Sequence, residues 1–440
     1  MSDRTSSLAV RPGVLDRAAL AAASRLADDP AWMRERRETA WAAAARLPHP
    51  AEVWLEEWRR TDTSALDLAG IALATAPAGT PPDPSAVVAA DERAGLLVCT
   101  GGRAVAVLDA ALAARGVVFT DLAGAAAAHP DLVRDYFLST LPEFDGHRYR
   151  ALHAALWTGG VVVYVPAGVE VALPLVAQSW LGQPDAAVFP HTLLVAAPGS
   201  RVTLVDLYTS ADGPGRQVAT AVAELIVQQG AQVRYIAVRD WGAPMWEVGS
   251  LVRARVARDA TVHSLMVALG GGLLKVDVES HLHGPGASVE MLGLFFAAGA
   301  QHMDFHTLQE HGAPHTTSDL LYKGAVRDTA KTVFAGLIRV HQGAQKTNAF
   351  QSNRNLILSA GARADSIPKL EIMANDLRCT HGSATSRLHD EHIFYLMSRG
   401  LTRAQAVRMI VEGFFADVFD RIPLERPRAY LQARIGEKMA

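Results

Sequence analysis

The sharpest pairing of reactive residue types in this 440-residue chain is Cys379 with His381. They stand two apart in the run Asp376-Leu-Arg-Cys-Thr-His-Gly382, and on a strand alternate residues face the same way. A thiolate and an imidazole on one face can ligate iron or another transition metal. The chain has one other cysteine, Cys99, inside the apolar run Leu96–Cys99, where a thiol serves as a small core residue. Two cysteines fall short of the usual four thiolates of an iron–sulfur cluster, so a cluster at this place needs ligands from another subunit. The plainer alternative makes Cys379 a small buried hydrophobe and His381 a hydrogen-bonded residue of an end coil. The residue types alone leave both readings open.

Histidines form a second group. His281 and His283 make a His-x-His pair, and His302, His306, His311 and His315 gather with Asp304 and Glu310. Paired histidines on a strand can hold a metal, but no cysteine accompanies these, and the segment from Gln309 to Asp319 crosses a corner. A ladder of polar residues stacked without any ligand is the plainer explanation. Other chemistries lack their signatures. No Gly-x-x-x-x-Gly-Lys-Ser/Thr loop is present, which removes nucleotide hydrolysis by this chain. Gly270–Gly272 lacks the strand–loop–helix context of a phosphate cradle, and no Gly-x-Ser-x-Gly elbow occurs.

The elements that must position these residues repeat. A turn of the form Gly-Ala-x-Val, or a near relative, starts at Gly168, Gly199, Gly230, Asp259 and Gly286, then at Gly312, Asp328, Gly343, Gly361 and Asp376. The starts lie about 30 residues apart up to Gly312 and about 15 apart beyond it, the mark of stacked units that cannot bury an apolar face alone. The shorter gap reads as one coil, with the turn written clearly in every second coil at first. Alternation puts Ala231, Val233, Tyr235 and Ala237 on one face, and Ala287, Val289, Met291 and Gly293 likewise. By that alignment Cys379 takes the inward place of Val233 and Val289. The pattern predicts a mainly β fold, a parallel β-helix, in preference to an antiparallel sandwich with frequent glycine turns.

Four regions follow: an N-terminal helical region over 1–84, a mixed α/β lead-in over 85–158, the β-helix core over 159–386 and a C-terminal helical domain over 387–440. Residues 1–12 read as disordered. Helices are predicted over 14–27, 31–47, 122–141 and 147–157, with strands at Leu96–Cys99, Ala104–Val107 and Val117–Thr120, and a polar segment follows Glu52–Thr61. Ala76–Pro84 reads as a linker. In the tail, Asp390 and Thr402 are expected to cap helices, and a last helix runs from Arg426 to Lys438. The tail has two possible uses, closing the solenoid's open end or receiving a partner.

A net charge of −3 with mixed signs gives no basic footprint for nucleic acid. Two cysteines suggest a reducing compartment, and no signal core or run of about 18 apolar residues points to a membrane. The expected location is cytoplasmic.

Several long motifs carry a family likeness. HTLQEHGAPHTTSDLLYKGAVRD over 306–328, AGLIRVHQGAQKTNAFQSNRNLILS over 335–359, ADSIPKLEIMANDLRCTHG over 364–382 and FYLMSRGLTRAQAVRMIVEGFF over 394–415 resemble the SufB/SufD family of iron–sulfur cluster assembly proteins. VVYVPAGVEVALPL over 162–175 extends the match, and EEWRRTD over 56–62 is similar to the more variable leader of the D-type branch. Two departures separate the chain from the B-type. Ala362 stands where the B-type has a cysteine, and Gly382 follows His381 where the B-type has a glutamate. The resemblance implies a right-handed β-helix flanked by helices and a non-catalytic, SufD-like scaffold subunit. It implies pairing with SufB through the β-helix ends, and docking of the SufC ATPase on the C-terminal helices. It carries over His381, and Cys379 more weakly, as the metal-binding pair beside a nascent cluster. That cluster would be transient and shared with SufB, with no cofactor tightly bound to the isolated chain, for which a homodimer is the alternative pairing. Two other readings compete: a B-type-like homodimeric scaffold, and a β-helix enzyme acting on polysaccharide. Aromatic residues, which line such sugar clefts, make up only 7% of the chain.

Overall fold

The computed structural model describes residues 15–50, 56–68, 70–141, 144 and 146–439. The expectation for 1–12 and the first part of the Glu52–Thr61 segment lie outside them. The chain winds as a parallel β-solenoid with helices on both flanks. From Ser288 onward consecutive strands alternate between two sheets: Ser288–Ala297, His302–His311, Thr317–Val326, Lys331–Val340, Asn348–Ile357, Arg363–Ile372 and Arg378–Arg387. One sheet has twelve strands and ends at Arg363–Ile372, and the other has ten and ends at Arg378–Arg387. Upstream of the first expected coil, Gly95–Thr100 already pairs in parallel with Leu175–Leu181.

This alternation corrects the repeat unit. A full coil corresponds to the longer gap, because Val233 pairs with Val262, Val262 with Val289, Val289 with Ser318, Ser318 with Ala349 and Ala349 with Cys379. Each coil carries two strands and two bends, so the shorter gap is half a coil. One column of bends has left-handed backbone at Gly168, Gly199 and Gly230 (φ 69°, 69° and 67°), where glycine avoids a Cβ clash. In the next coils Asp259 and Gly286 hold the same conformation, and then His315 and Lys346 (φ 58° and 60°). Gly312 and Gly343 precede those bends and are not their left-handed residues. The column is stitched by backbone bonds: the Gly199 N–H donates to the Gln229 carbonyl at 2.9 Å, and the His315 N–H to the Gln345 carbonyl at 2.9 Å.

Inward-facing residues of the two sheets form the largest core, including Val233, Tyr235, Val289 and Met291 as the alternation requires. The outer face of the twelve-stranded sheet is covered by the helices Arg17–Leu26, Ala31–Arg46 and Arg148–Leu156. Buried Arg37 fixes this layer, bonding Asp29 at 2.6 Å and the Ala155 carbonyl at 2.8 Å. Glu224 of the sheet accepts from the N–H and the hydroxyl of Thr140, each at 2.7 Å. The single helix expected over 122–141 is two, Leu122–Ala128 and Pro130–Tyr136. Pro130 lacks an N–H to continue the first and instead begins the second.

Of the C-terminal helices, Arg403–Phe419 and Glu425–Met439 lie along the outer face of the ten-stranded sheet, and Asp390–Ser398 packs against Arg403–Phe419. They cover the sheet's flank and leave the last coil uncapped, so closing the open end, the first use expected of the tail, is not what they do. Val411, Phe415 and Val418 pack on Leu292, Leu294 and Leu321. Lys323 donates to Asp417 at 2.6 Å and to the Phe414 carbonyl at 2.7 Å, while Arg434 grips Asp240 with two bonds of 2.8 and 2.9 Å. Thr402 forms a capping box with Gln405 as expected. Asp390 is not a cap: His389 precedes the helix, and Asp390 sits in its first turn.

Candidate functional site

At the last coil, Arg363–Ile372 and Arg378–Arg387 each pair on one side only among the described residues. Their other edges offer N–H and carbonyl groups to whatever adds next. His381 lies on the second of these strands, in register with Gln351, Leu320, Met291, Ser264 and Tyr235. Tyr235, Met291, Leu320 and Gln351 in that column are buried. His381 is exposed because no further coil lies over it. Cys379 occupies the inward column predicted for it and is half-buried against the small cluster of Ile338, Val340, Ala344, Ala349 and Ala374. Burial pushes its thiol pKa up, so it holds its proton unless a metal displaces it. Ala362, where the B-type thiol would stand, is a buried core residue. One thiol and one imidazole are what this end contributes, too few to hold a cluster alone. Ile372 and Met373 add exposed apolar surface at the same end.

The histidine group separates into unlike environments. His311 is fully buried, its ring nitrogens 2.8 Å from the Thr316 hydroxyl and 2.9 Å from that of Ser318, and burial lowers its pKa to about 4. His315 is a bend residue. His302 and His306 lie on the outer face of the twelve-stranded sheet. There His302 meets the Thr61 hydroxyl at 2.9 Å, and His306 stands 3.2 Å from Asp304. Asp304, fully buried, also faces Lys275 at 3.4 Å. Burial pushes its pKa up, but Lys275 and His306 win and hold it down to about 2. His281 belongs to a separate ladder, 2.9 Å from Glu279 and 2.5 Å from Glu310, and Glu310 reaches His341 at 2.7 Å. His283 reaches the His281 carbonyl at 3.4 Å. Among the described residues, no group of three or more His, Cys, Asp or Glu is arranged to hold a metal ion. The signal for these ladders was a coil-length spacing between opposite charges, as between Glu310 and His341. It was not legible before the coil length was known.

Among the described residues no helix is long and apolar enough to cross a membrane. Comparison with known proteins matches residues 179–414 to the family described as SUF system FeS cluster assembly, SufBD core domain, and residues 24–176 to the SufBD protein N-terminal region. The iron-sulfur cluster assembly protein SufD of Bacillus subtilis is 33% identical over 74% of this chain and 74% of its own length. An iron-sulfur cluster assembly SufBD family protein of Mycobacterium leprae is 34% identical over 63% of this chain and 71% of its own.

Proposed function

Since this chain belongs to the SufBD family of iron–sulfur cluster assembly proteins, we propose that it is a D-type scaffold subunit whose open coil pairs with SufB. The observation that carries this reading is the pair of unpaired strand edges at Arg363–Ile372 and Arg378–Arg387, with His381 exposed between the core column and the partner's side. A sheet edge extends most readily by another strand, and main-chain bonds of that kind join two solenoids end to end. SufB would bring the thiolates this end lacks, and the His381 imidazole would complete iron ligation of the cluster they hold as cargo, as histidine does in some clusters. Cys379, half-buried and protonated, is the weaker contributor.

ATP is handled by SufC, in keeping with the missing phosphate loop. Its docking surface would be the exposed apolar side of the tail, where Phe394, Tyr395, Met397 and Met409 face solvent. The direct test of the cluster role reconstitutes the complex with His381→Ala. A loss of cluster formation with intact complex assembly is expected, whereas normal cluster formation in an intact complex removes His381 from the mechanism.

A further inference from the structure

A second site stands on the outer face of the twelve-stranded sheet, away from His381. The segment Glu56–Thr61 crosses this face as a strap. Trp58 anchors it, buried and 5.3 Å from the His147 ring, and Thr61 bonds His302. The strap is tied to the last strand of the sheet, Glu56 to Lys369 at 2.6 Å and Arg60 to Asp365 at 3.7 Å. Between strap and sheet lies a pocket of about 350 Å³, within the size range of small-ligand sites.

Its floor follows from register. His306, Ala335 and Ile367 are neighbours on successive coils, as are Leu308, Leu337 and Lys369. The methyl of Ala335 leaves a hollow between bulkier residues, with Leu308, Leu337 and Ile367 as apolar surroundings. The walls are charged in both senses. Arg60, Arg150, Arg339 and Lys369 supply cations, and Glu56, Glu57, Asp277 and Glu279 supply an equal number of carboxylates. Asp277 is bound by Arg150 through one oxygen, while its buried second oxygen has no hydrogen-bond partner among the described residues and stands 3.7 Å from Lys275. Burial opposes its ionisation, but Lys275 and Arg150 hold its pKa well below the usual carboxylate range. It therefore presents a fixed negative charge.

Fixed charges that cancel give no net attraction for a polyanion, which would also meet four carboxylates. A dipolar ligand is stabilised at both of its ends. The pocket lining includes no glycine-rich loop of the kind that cradles phosphate, and the helix start that does line it, His147 and Arg150 of Arg148–Leu156, stands beside the carboxylate of Asp277. We propose that this pocket binds a small zwitterionic amino acid, its ammonium facing Asp277 and its carboxylate the guanidinium side, with an apolar side chain over Ala335.

The test uses the full chain and calorimetric titration with L-leucine, 4-methylpentanoate and 3-methylbutylamine. The last two keep the branched chain and lack the ammonium or the carboxylate. Saturable binding of L-leucine is expected, with each half-ligand weaker by about tenfold or more. Ala335→Trp, which fills the hollow from an outward-facing position, should abolish that binding while leaving the thermal unfolding midpoint in place. If that variant fails to fold, Ala335→Met gives a smaller filling and should weaken the binding. The proposal is overturned by an absence of saturable L-leucine binding, by a half-ligand that binds as tightly as leucine, or by a folded Ala335 variant that binds normally.

Discussion

His381 and Glu310 show how neighbours decide what an imidazole can do. His381 is open to a partner because its column ends there, whereas His281 and His341 are engaged by one carboxylate. Glu310 accepts from His281 and from His341, and these bonds outweigh burial and lower its pKa to about 2 from an ordinary 4.5. A carboxyl whose folded pKa is depressed contributes stability that is present above its unfolded pKa and lost as pH falls through the folded one. His281 has the opposite sign: burial lowers its pKa, but the bonds to Glu279 and Glu310 prevail and raise it above 6.5. Its contribution is present below 6.5 and lost as pH rises. The ladder is therefore strongest between pH 4.5 and 6.5. In Glu310→Gln the unfolding temperature should drop within that window, and part of the fall between pH 4.5 and 2 should vanish. A variant whose profile of melting temperature against pH parallels the parent's would deny Glu310 this role.

Within the coils, stability rests on small residues set under large ones. Gly293 pairs with Tyr322 and Gly324 with Phe295 on adjacent strands of the ten-stranded sheet. A Cβ on Gly324 would sit 1.8 Å from the Phe295 ring, and one on Gly293 2.3 Å from Tyr322. Both aromatic rings belong to the main core, so neither can swing into solvent. Gly324 has no left-handed backbone to protect, and its constraint is packing alone. Gly324→Val should destabilise the chain by about 1–3 kcal/mol through overpacking, read by denaturant unfolding. Full stability in that variant would mean that the coils can spread, contrary to close packing between the sheets.

Over the whole molecule, the two helical layers cover the two flanks and leave one end free. This places the proposed partner surfaces apart, one at the strand edges and one on the helical tail. Ile372→Lys with Met373→Lys puts charges at the open end, and Phe394→Asp puts one on the tail. The first should weaken SufB pairing and retain SufC, and the second the reverse, when each variant is co-purified with both proteins. Loss of both partners from either variant would contradict separate surfaces.

Much of this architecture was legible in the chain itself. Alternation set Val233 and Val289 inward, and their turn spacing aligned Cys379 with them, because side-chain direction in a strand depends only on local parity. The coil length was misread, since a bend looks the same whether it closes half a coil or a whole one. The tail's apolar helices were visible, but their resting place was not, because an apolar stripe does not name the surface that covers it. The pairing of Glu310 with His281 and His341, and the strap over Ala335, required coordinates. Residues a coil apart become neighbours only when register is fixed, and residues such as Glu56 and Lys369 meet only when two distant segments fold onto the same sheet.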